Sequence, residues 1–236
     1  MSVLVFDFAS AASLDDPNLI RNAFALRKEQ FHQRDNYETP EWQGMEFDQY
    51  DCLAATYFVR RGENGTILGF ARLVPTRFHN YDHSMLKDNW SELINAEIPS
   101  GENIYEGSRF VISPHLSANP ELRTRVIDEL VLGIMEYCLA AKVKHVIGVM
   151  YPKVWQNVFV NRGWDVKMLC DAVSVGGENE GKTHVITAGI KEVSFEMLKR
   201  IRERTGIHEP VLEVAPNMIL GSQQWSSYEE RKVAKG

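Results

Sequence analysis

Cysteine is scarce: Cys52, Cys138 and Cys170 are an odd number without CxxC spacing, so neither a disulfide framework nor a zinc site is indicated. Basic residues are outnumbered, 26 against 32 acidic ones, and the net charge of −6 argues against general nucleic-acid binding. No apolar run nears membrane-spanning length, and the opening MSVLVFDFAS lacks the basic start and long apolar segment of a signal peptide. A cytoplasmic protein with no membrane partner is the expectation. Neither GxGxxG nor a P-loop occurs, which leaves Rossmann cofactor binding and P-loop phosphate chemistry without support. Internal repeats and low-complexity segments are absent as well.

With 44% hydrophobic and 25% charged residues, the 236-residue chain can bury one sizeable core. A single domain over 1–215 is expected, followed by a tail at 216–236. Residues 3–8 (VLVFDF) read as a strand. Asp16-Pro17 opens a helix on which Ile20, Phe24, Arg27 and Phe31 share one face. Residues 36–51 are too irregular for a regular element. The stretch 53–76 reads as a hairpin with Asn64-Gly65 in its turn. Residues 77–104 read as loop with a short helix around SMLKDNWSEL. Asn119-Pro120 opens a long helix on which Leu122, Val126, Leu130, Ile134 and Cys138 recur every fourth residue. KHVIGVM (144–150) completes a strand–helix–strand unit. A short helix ended by Gly163 follows, then strands near 165–175 and 183–190, and a helix between Ser194 and Gly206. Mixed strands around one crossover helix predict an α/β protein: a three-layer α/β/α sandwich of the N-acyltransferase type with a mixed, splayed central sheet.

The strand YEGSRFVISP (105–114) is the anomaly. Alternation would put Glu106, Ser108 and Phe110 on one face and Tyr105, Arg109 and Val111 on the other. Charges beside such apolar neighbours are costly to bury unless each finds a partner. Gly107 offers a bulge that would turn both charges toward one cleft, and bulges gather beside active sites. Other polar residues fall in comparable places. Arg27 lies on the apolar stripe of the first helix, Asp48 and Asp51 end the long loop in EFDQYD, and Arg72 sits in a strand between Ala71 and Leu73. Singly, each has a bland explanation, a snorkelling arginine or a turn carboxylate. Together, three arginines and three carboxylates (Glu106 the third) converge on core-facing elements.

In order along the chain, Arg27-x-x-x-Phe31, Asp48-x-x-Asp51, Arg72-Leu73-x-Pro75-Thr76 and Glu106-x-Ser108-Arg109-Phe110 resemble the acyl-homoserine-lactone synthases, the autoinducer synthases of quorum-sensing bacteria. MLKDNW (85–90) is similar to that family's Met-Leu-x-Asp-x-Phe segment, displaced by a short insertion after Thr76. The likeness is strong over 20–115 and weak beyond. Three ring positions depart from it: Tyr37 and Tyr105 stand where the family has tryptophan, and Trp90 where it has phenylalanine. A pocket lined by rings survives with altered shape.

The resemblance implies acyl transfer from a thioester, on acyl-carrier protein or coenzyme A, to the amine of S-adenosylmethionine. Lactonisation then releases methylthioadenosine. S-adenosylmethionine enters as a substrate, and no prosthetic group is implied. The likeness assigns catalysis to Glu106, Asp48, Asp51, Arg72 and Arg109, with Glu106 as the base that deprotonates the ammonium. It makes Arg27, Phe31, Tyr37, Trp90, Ser108 and Phe110 substrate-binding. Guanidinium forks suit the carboxylate, while carboxylates and rings suit the cationic groups.

The acyl cavity is expected between the sheet and the helix at 153–162, lined by Val149, Met150, Trp155 and Phe159. Such side chains offer no hydroxyl to a 3-oxo group, so an unsubstituted chain is expected. The start of the central helix, SPHLSANPELRTRVIDEL, has no glycine for a pyrophosphate cradle. It does have Arg123 and Arg125, which with Lys142, Lys144, Lys153 and Arg162 form a candidate docking face for an acidic carrier protein. A solvated surface is the bland alternative. Two rival functions stand beside the main one: an N-acyltransferase acting on another amino acid without lactone formation, and a non-catalytic acyl-thioester sensor.

Overall fold

The computed structural model describes residues 2–34, 39–78, 81–92, 94, 97–175 and 184–218. β1 (Val3–Phe6) stops before Asp7 because Asp7 caps α1 (Phe8–Ala11), accepting from the Ser10 N–H at 2.7 Å. α2 (Leu19–Lys28) follows a turn in which Asp16 accepts from the Asn18 N–H at 2.9 Å. Its end widens into a π turn over Glu29–Arg34 that carries Phe31. The stretch expected to be irregular holds a small ladder of β2 (Glu41–Trp42) with β3 (Met45–Glu46). β4 (Thr56–Arg61) and β5 (Ile67–Pro75) form the expected hairpin, with Gly65 at φ 72° in the turn. β6 (Arg77–Phe78) and β7 (Tyr81–Asp82) precede α3 (Met85–Trp90), where Ser84 accepts from the Lys87 N–H. β8 (Ile104–Ile112) leads to α4 (Pro120–Ala140), capped by Asn119 Oδ1 on the Leu122 N–H at 3.0 Å.

β9 (His145–Met150) and α5 (Pro152–Val154) run into wide and tight turns that end at Gly163, φ 87°. β10 (Val166–Met168), β11 (Val173–Val175), β12 (His184–Glu192), α6 (Phe195–Thr205) and β13 (Leu212–Val214) complete the described chain. β13 is not among the elements expected from the sequence. It is held beside β1 by the Val3 N–H on the Val211 carbonyl and the Ala215 N–H on the Val5 carbonyl, at 2.7 and 2.9 Å. The expected tail lies outside the described residues beyond 218.

The main sheet runs β10-β12-β9-β8-β5-β4-β1-β13, with β11 beside β12. β8–β9 and β1–β13 pair in parallel and its other pairs are antiparallel, so the sheet is mixed. Alternation divides its side chains into two cores. Val3, Val5, Phe58 and Leu73 pack against Val126, Leu130, Ile134 and Cys138 of α4 and Ile201 of α6. Leu4, Phe6, Tyr57, Val59 and Phe70 pack against Phe24 and Ala23 of α2. Three layers result, as expected. No helix among the described residues is long and apolar enough to cross a membrane.

The sheet splays at its centre. Pairing of β8 with β9 ends at Glu106–Ile147, although both strands continue. At Gly148 the two backbones still touch: a Cβ there would lie 2.9 Å from the Gly107 carbonyl. Beyond that point the strands part.

Candidate active site

The bulge that the charged strand needs falls at Arg109, two residues later than Gly107. The β5–β8 register slips between Phe70 and Arg72, so Ala71 opposes both Arg109 and Phe110, and Arg109 sits at φ 55°. Gly107 pairs regularly with Leu73. The bulge resets the alternation. Phe110 joins Tyr105 and Ile112 in the α4-side core and Val111 faces α2, which corrects the expected grouping of Phe110 with Glu106 and Ser108.

Freed in this way, Arg109 completes a closed set of three positive and three negative charges. Arg27 donates to both Asp51 oxygens at 2.8 Å and from Nε to Glu46 at 2.5 Å. Arg72 donates to the Asp48 oxygens at 2.5 and 3.0 Å and lies 2.9 Å from Asp51. Arg109 bridges Glu46 at 2.8 Å and Asp48 at 2.7 Å. Burial pushes the Asp51 carboxyl up, but Arg27 and Arg72 outweigh it and hold the group far below the usual carboxylate range. Each buried ion is compensated, which is the condition for tolerating it. Glu46 takes the third acidic place in this set that was expected for Glu106. Its signal lay in EFDQYD, where it stands two residues from Asp48 and so on the same side of an extended segment.

Glu106 stands apart, at the N-terminus of α3. Its carboxylate accepts from the Ser84 hydroxyl at 2.8 Å and the Leu86 N–H at 2.9 Å. Burial pushes its pKa up to about 7, against the opposing pull of these two donors and Arg72. A carboxyl so placed exchanges its proton near neutrality.

A cavity of about 610 Å³ occupies the gap between β8 and β9 and reaches both faces of the sheet. On the α2 side its wall includes Asp48, Arg72, Ser108 and Arg109 with the rings of Phe31, Tyr50 and Trp90. On the α4 side it is walled by Leu73, Phe110, Ile134, Val146 and Phe159, with Lys191 among them.

A sequence profile described as "Autoinducer synthase" matches residues 11–201. The chain belongs to the autoinducer synthase family. It is 34% identical to the acyl-homoserine-lactone synthase of Vibrio anguillarum over 119 residues, 50% of this chain and 58% of that one. With the acyl-homoserine-lactone synthase of Pectobacterium carotovorum subsp. carotovorum it shares 27% identity over 188 residues, 78% of this chain and 81% of that one. The fold is shared with BjaI, a coenzyme-A-dependent acyl-homoserine lactone synthase solved with S-adenosylmethionine and isopentyl-coenzyme A. There the TM-score is 0.75 at 19% identity, over 95% of this chain and 99% of that one.

In this autoinducer synthase the expected site residues divide between wall and support. Asp48, Arg72, Ser108, Arg109, Phe31, Trp90 and Phe110 line the cavity, as do Val149, Met150 and Phe159. Arg27 and Asp51 do not; their bonds are made to each other, to Glu46 and Tyr57, and to Asp48 and Arg72 of the wall. Glu106 is also set back, although Met85, next to the two residues that hold it, lines the cavity. Trp155 is a core residue instead of a lining one: its indole N–H donates to the Thr187 carbonyl at 3.0 Å, and its ring fills the space over Gly189. Tyr37 lies outside the described residues.

The expected basic face breaks in two. α4 spans 21 residues, on the order of 30 Å, and separates Arg123 and Arg125 at its start from Lys142 and Lys144 past its end. Arg162 is spent on Asp128 at 2.5 Å, and Arg125 on Glu129 at 2.8 Å. Arg123, at the start of α4, and Lys153, in α5 just past the end of β9, are exposed and have no such partner among the described residues.

The lining also corrects the expected apolar cavity. Tyr151, whose hydroxyl lies 2.7 Å from His184 Nδ1, and Lys191 are both among the lining residues. Lys191 Nζ lies 4.0 Å from the Phe159 ring centroid, 4.6 Å from Trp155 and 5.3 Å from Trp164. Burial lowers its pKa to about 7. Its signal was the alternation of HVITAGIKE, which sets Lys191 on the same face as Thr187 and Gly189.

Proposed function

We infer that this enzyme transfers an acyl group from a thioester to the amine of S-adenosylmethionine and closes a homoserine lactone. The observation that carries the reading is one cavity with an ionic end and an apolar end, joined through the gap in the sheet. S-adenosylmethionine suits the α2 side. Its ammonium would face Asp48, its carboxylate the outer edge of Arg109, and its sulfonium the rings of Phe31 or Trp90. The acyl chain suits the α4 side, between Phe110, Ile134 and Phe159.

The amine must first lose a proton, and Glu106 is the base, acting through a water because its carboxylate is held by Ser84 and the Leu86 N–H and does not line the cavity. The neutral amine attacks the thioester carbonyl, and the departing sulfur takes up a proton. Backbone N–H groups past Glu106 and Ile147, where β8–β9 pairing has ended, are the candidates to hold the oxyanion. The carboxylate oxygen then displaces methylthioadenosine from the methionine side chain, forming the ring C–O bond as the C–S bond breaks. Arg27, Glu46 and Asp51 are positioning residues that fix Arg72 and Arg109. Arg123 and Lys153 would favour an acidic carrier protein over coenzyme A as donor. Both substrates are charged and do not cross a membrane unaided, so the enzyme works in the cytoplasm.

Mass spectrometry of extracts from a heterologous host expressing the chain is the test. An acyl-homoserine lactone absent from the empty-vector host is expected. An open-chain N-acyl amino acid in its place would favour a plain N-acyltransferase.

A further inference from the structure

The acyl side of the cavity is apolar except at Lys191 and Tyr151. The Tyr151 hydroxyl has a partner in His184, and nothing in the reaction described above uses the lysine. It belongs to β12, paired in register with Val146 of β9, so it stands two strands away from β8. Two inter-strand spacings are on the order of 10 Å. A chain whose thioester sits at the β8–β9 gap therefore meets Lys191 beyond its carbonyl end, on the far side of β9.

The surroundings of Nζ are unusual for a buried cation. Lys191 is 2% exposed and forms no ion pair among the described residues. Its neighbours are the faces of Phe159, Trp155 and Trp164, which stabilise a cation but accept no proton. Both indole N–H groups are donated elsewhere, to the Thr187 and Glu192 carbonyls at 3.0 and 2.6 Å. Cys138 supplies no counter-ion, because burial pushes its thiol well above the usual range and keeps it neutral. An alkyl chain filling this end would offer Nζ no acceptor.

We propose that Lys191 is a specificity residue that selects acyl donors carrying an oxygen acceptor, a hydroxyl or a carboxylate, at the far end of the chain. The proposal rests on the acyl-transfer reading and adds the class of acyl group to it. The oxygen supplies the acceptor that the aromatic cage lacks, and a hydrogen bond to a charged group discriminates by about tenfold to a hundredfold.

The test compares octanoyl-, ω-hydroxyoctanoyl- and ω-carboxyheptanoyl-pantetheine as donors to S-adenosylmethionine. The native enzyme should use at least one oxygenated donor with kcat/KM about tenfold or more above octanoyl. Lys191→Met should erase or invert that ratio, and Lys191→Arg should keep its sign. The two oxygenated arms tell hydroxyl from carboxylate. Equal or better use of octanoyl by the native enzyme overturns the proposal, as does a Lys191→Met enzyme that keeps the oxygenated preference. If Lys191→Met does not fold, the native ratio decides alone. Thermal stabilisation by the same thioesters, without S-adenosylmethionine, reads the preference even if no turnover occurs. Failure of acyl transfer and failure of selectivity are thus separate results, and equal stabilisation by all three chains counts against Lys191.

Discussion

The two ends of the cavity treat buried charge in opposite ways. On the α2 side Arg27, Arg72 and Arg109 meet Glu46, Asp48 and Asp51, and every charge has partners within the fold. On the α4 side Lys191 meets three rings and no anion. A closed set is self-sufficient: it holds Ser108 and Arg109 at the wall before any substrate arrives. An open charge costs stability and becomes useful only when a ligand completes it. Glu106 and Lys191 express the same contrast in titration, since burial raises one and lowers the other to about 7.

Breaking the closed set should have the largest effect. Arg72→Ala leaves Asp48 and Asp51 short of a partner in a buried site, and about 3–5 kcal/mol of stability should be lost in denaturant unfolding. Activity should vanish with it. A loss below about 1 kcal/mol would mean that the set is not closed but hydrated.

Glu106→Gln comes next, with kcat lower by about 10²–10⁴-fold and S-adenosylmethionine binding nearly kept. In the native enzyme kcat should rise with pH through about 7 as the carboxyl ionises. Stability should do the reverse. A carboxyl raised from 4.5 holds its proton longer in the folded state, so stability falls as pH climbs from 4.5 to about 7, by roughly 3 kcal/mol in all. Glu106→Gln should flatten both profiles; a variant with unchanged kcat and slope would remove Glu106 from the chemistry.

Lys191→Met should act in the opposite direction to Arg72→Ala. The folded state gives up a proton that the unfolded chain retains, so native stability rises with pH between about 7 and 10.5. The variant should lose that slope and be more stable at pH 7 by about 1–3 kcal/mol, the rings offsetting part of the cost. Destabilisation instead would show that Lys191 already has its partner inside the fold. The smallest effect is expected at the surface. Arg123→Ala with Lys153→Ala should weaken use of carrier-bound donors by about two- to fivefold at low salt and not at all at high salt. Lys142→Ala with Lys144→Ala, at the far end of α4, should change nothing.

Much of this was legible in the residues because it is local. Caps at Ser84, Asn119 and Ser194, the stops at Gly163 and Gly206, and the four-residue stripe of α4 all depend on neighbours in sequence. What the spacing could not give is set by pairing across the sheet. Whether the strand 104–112 bulges at Gly107 or at Arg109 depends on where Ala71 falls opposite it, and that slip decides which face Phe110 takes. Glu46 became visible as a partner only once Arg109 had turned. The basic residues read as one face because sequence distance hides the length of α4. Lys191 was legible in its alternation, yet its meaning depends on Trp155, Phe159 and Trp164 arriving from another element.

Acceptor and donor that meet in one cavity must react in one coupled sequence. The direct measurement is methylthioadenosine released by the purified enzyme from S-adenosylmethionine, with and without an acyl thioester. Release only when both are present, in step with acyl-homoserine lactone, is the predicted result. Release without a donor, or an acylated product that forms with no methylthioadenosine, would contradict coupling in one cavity.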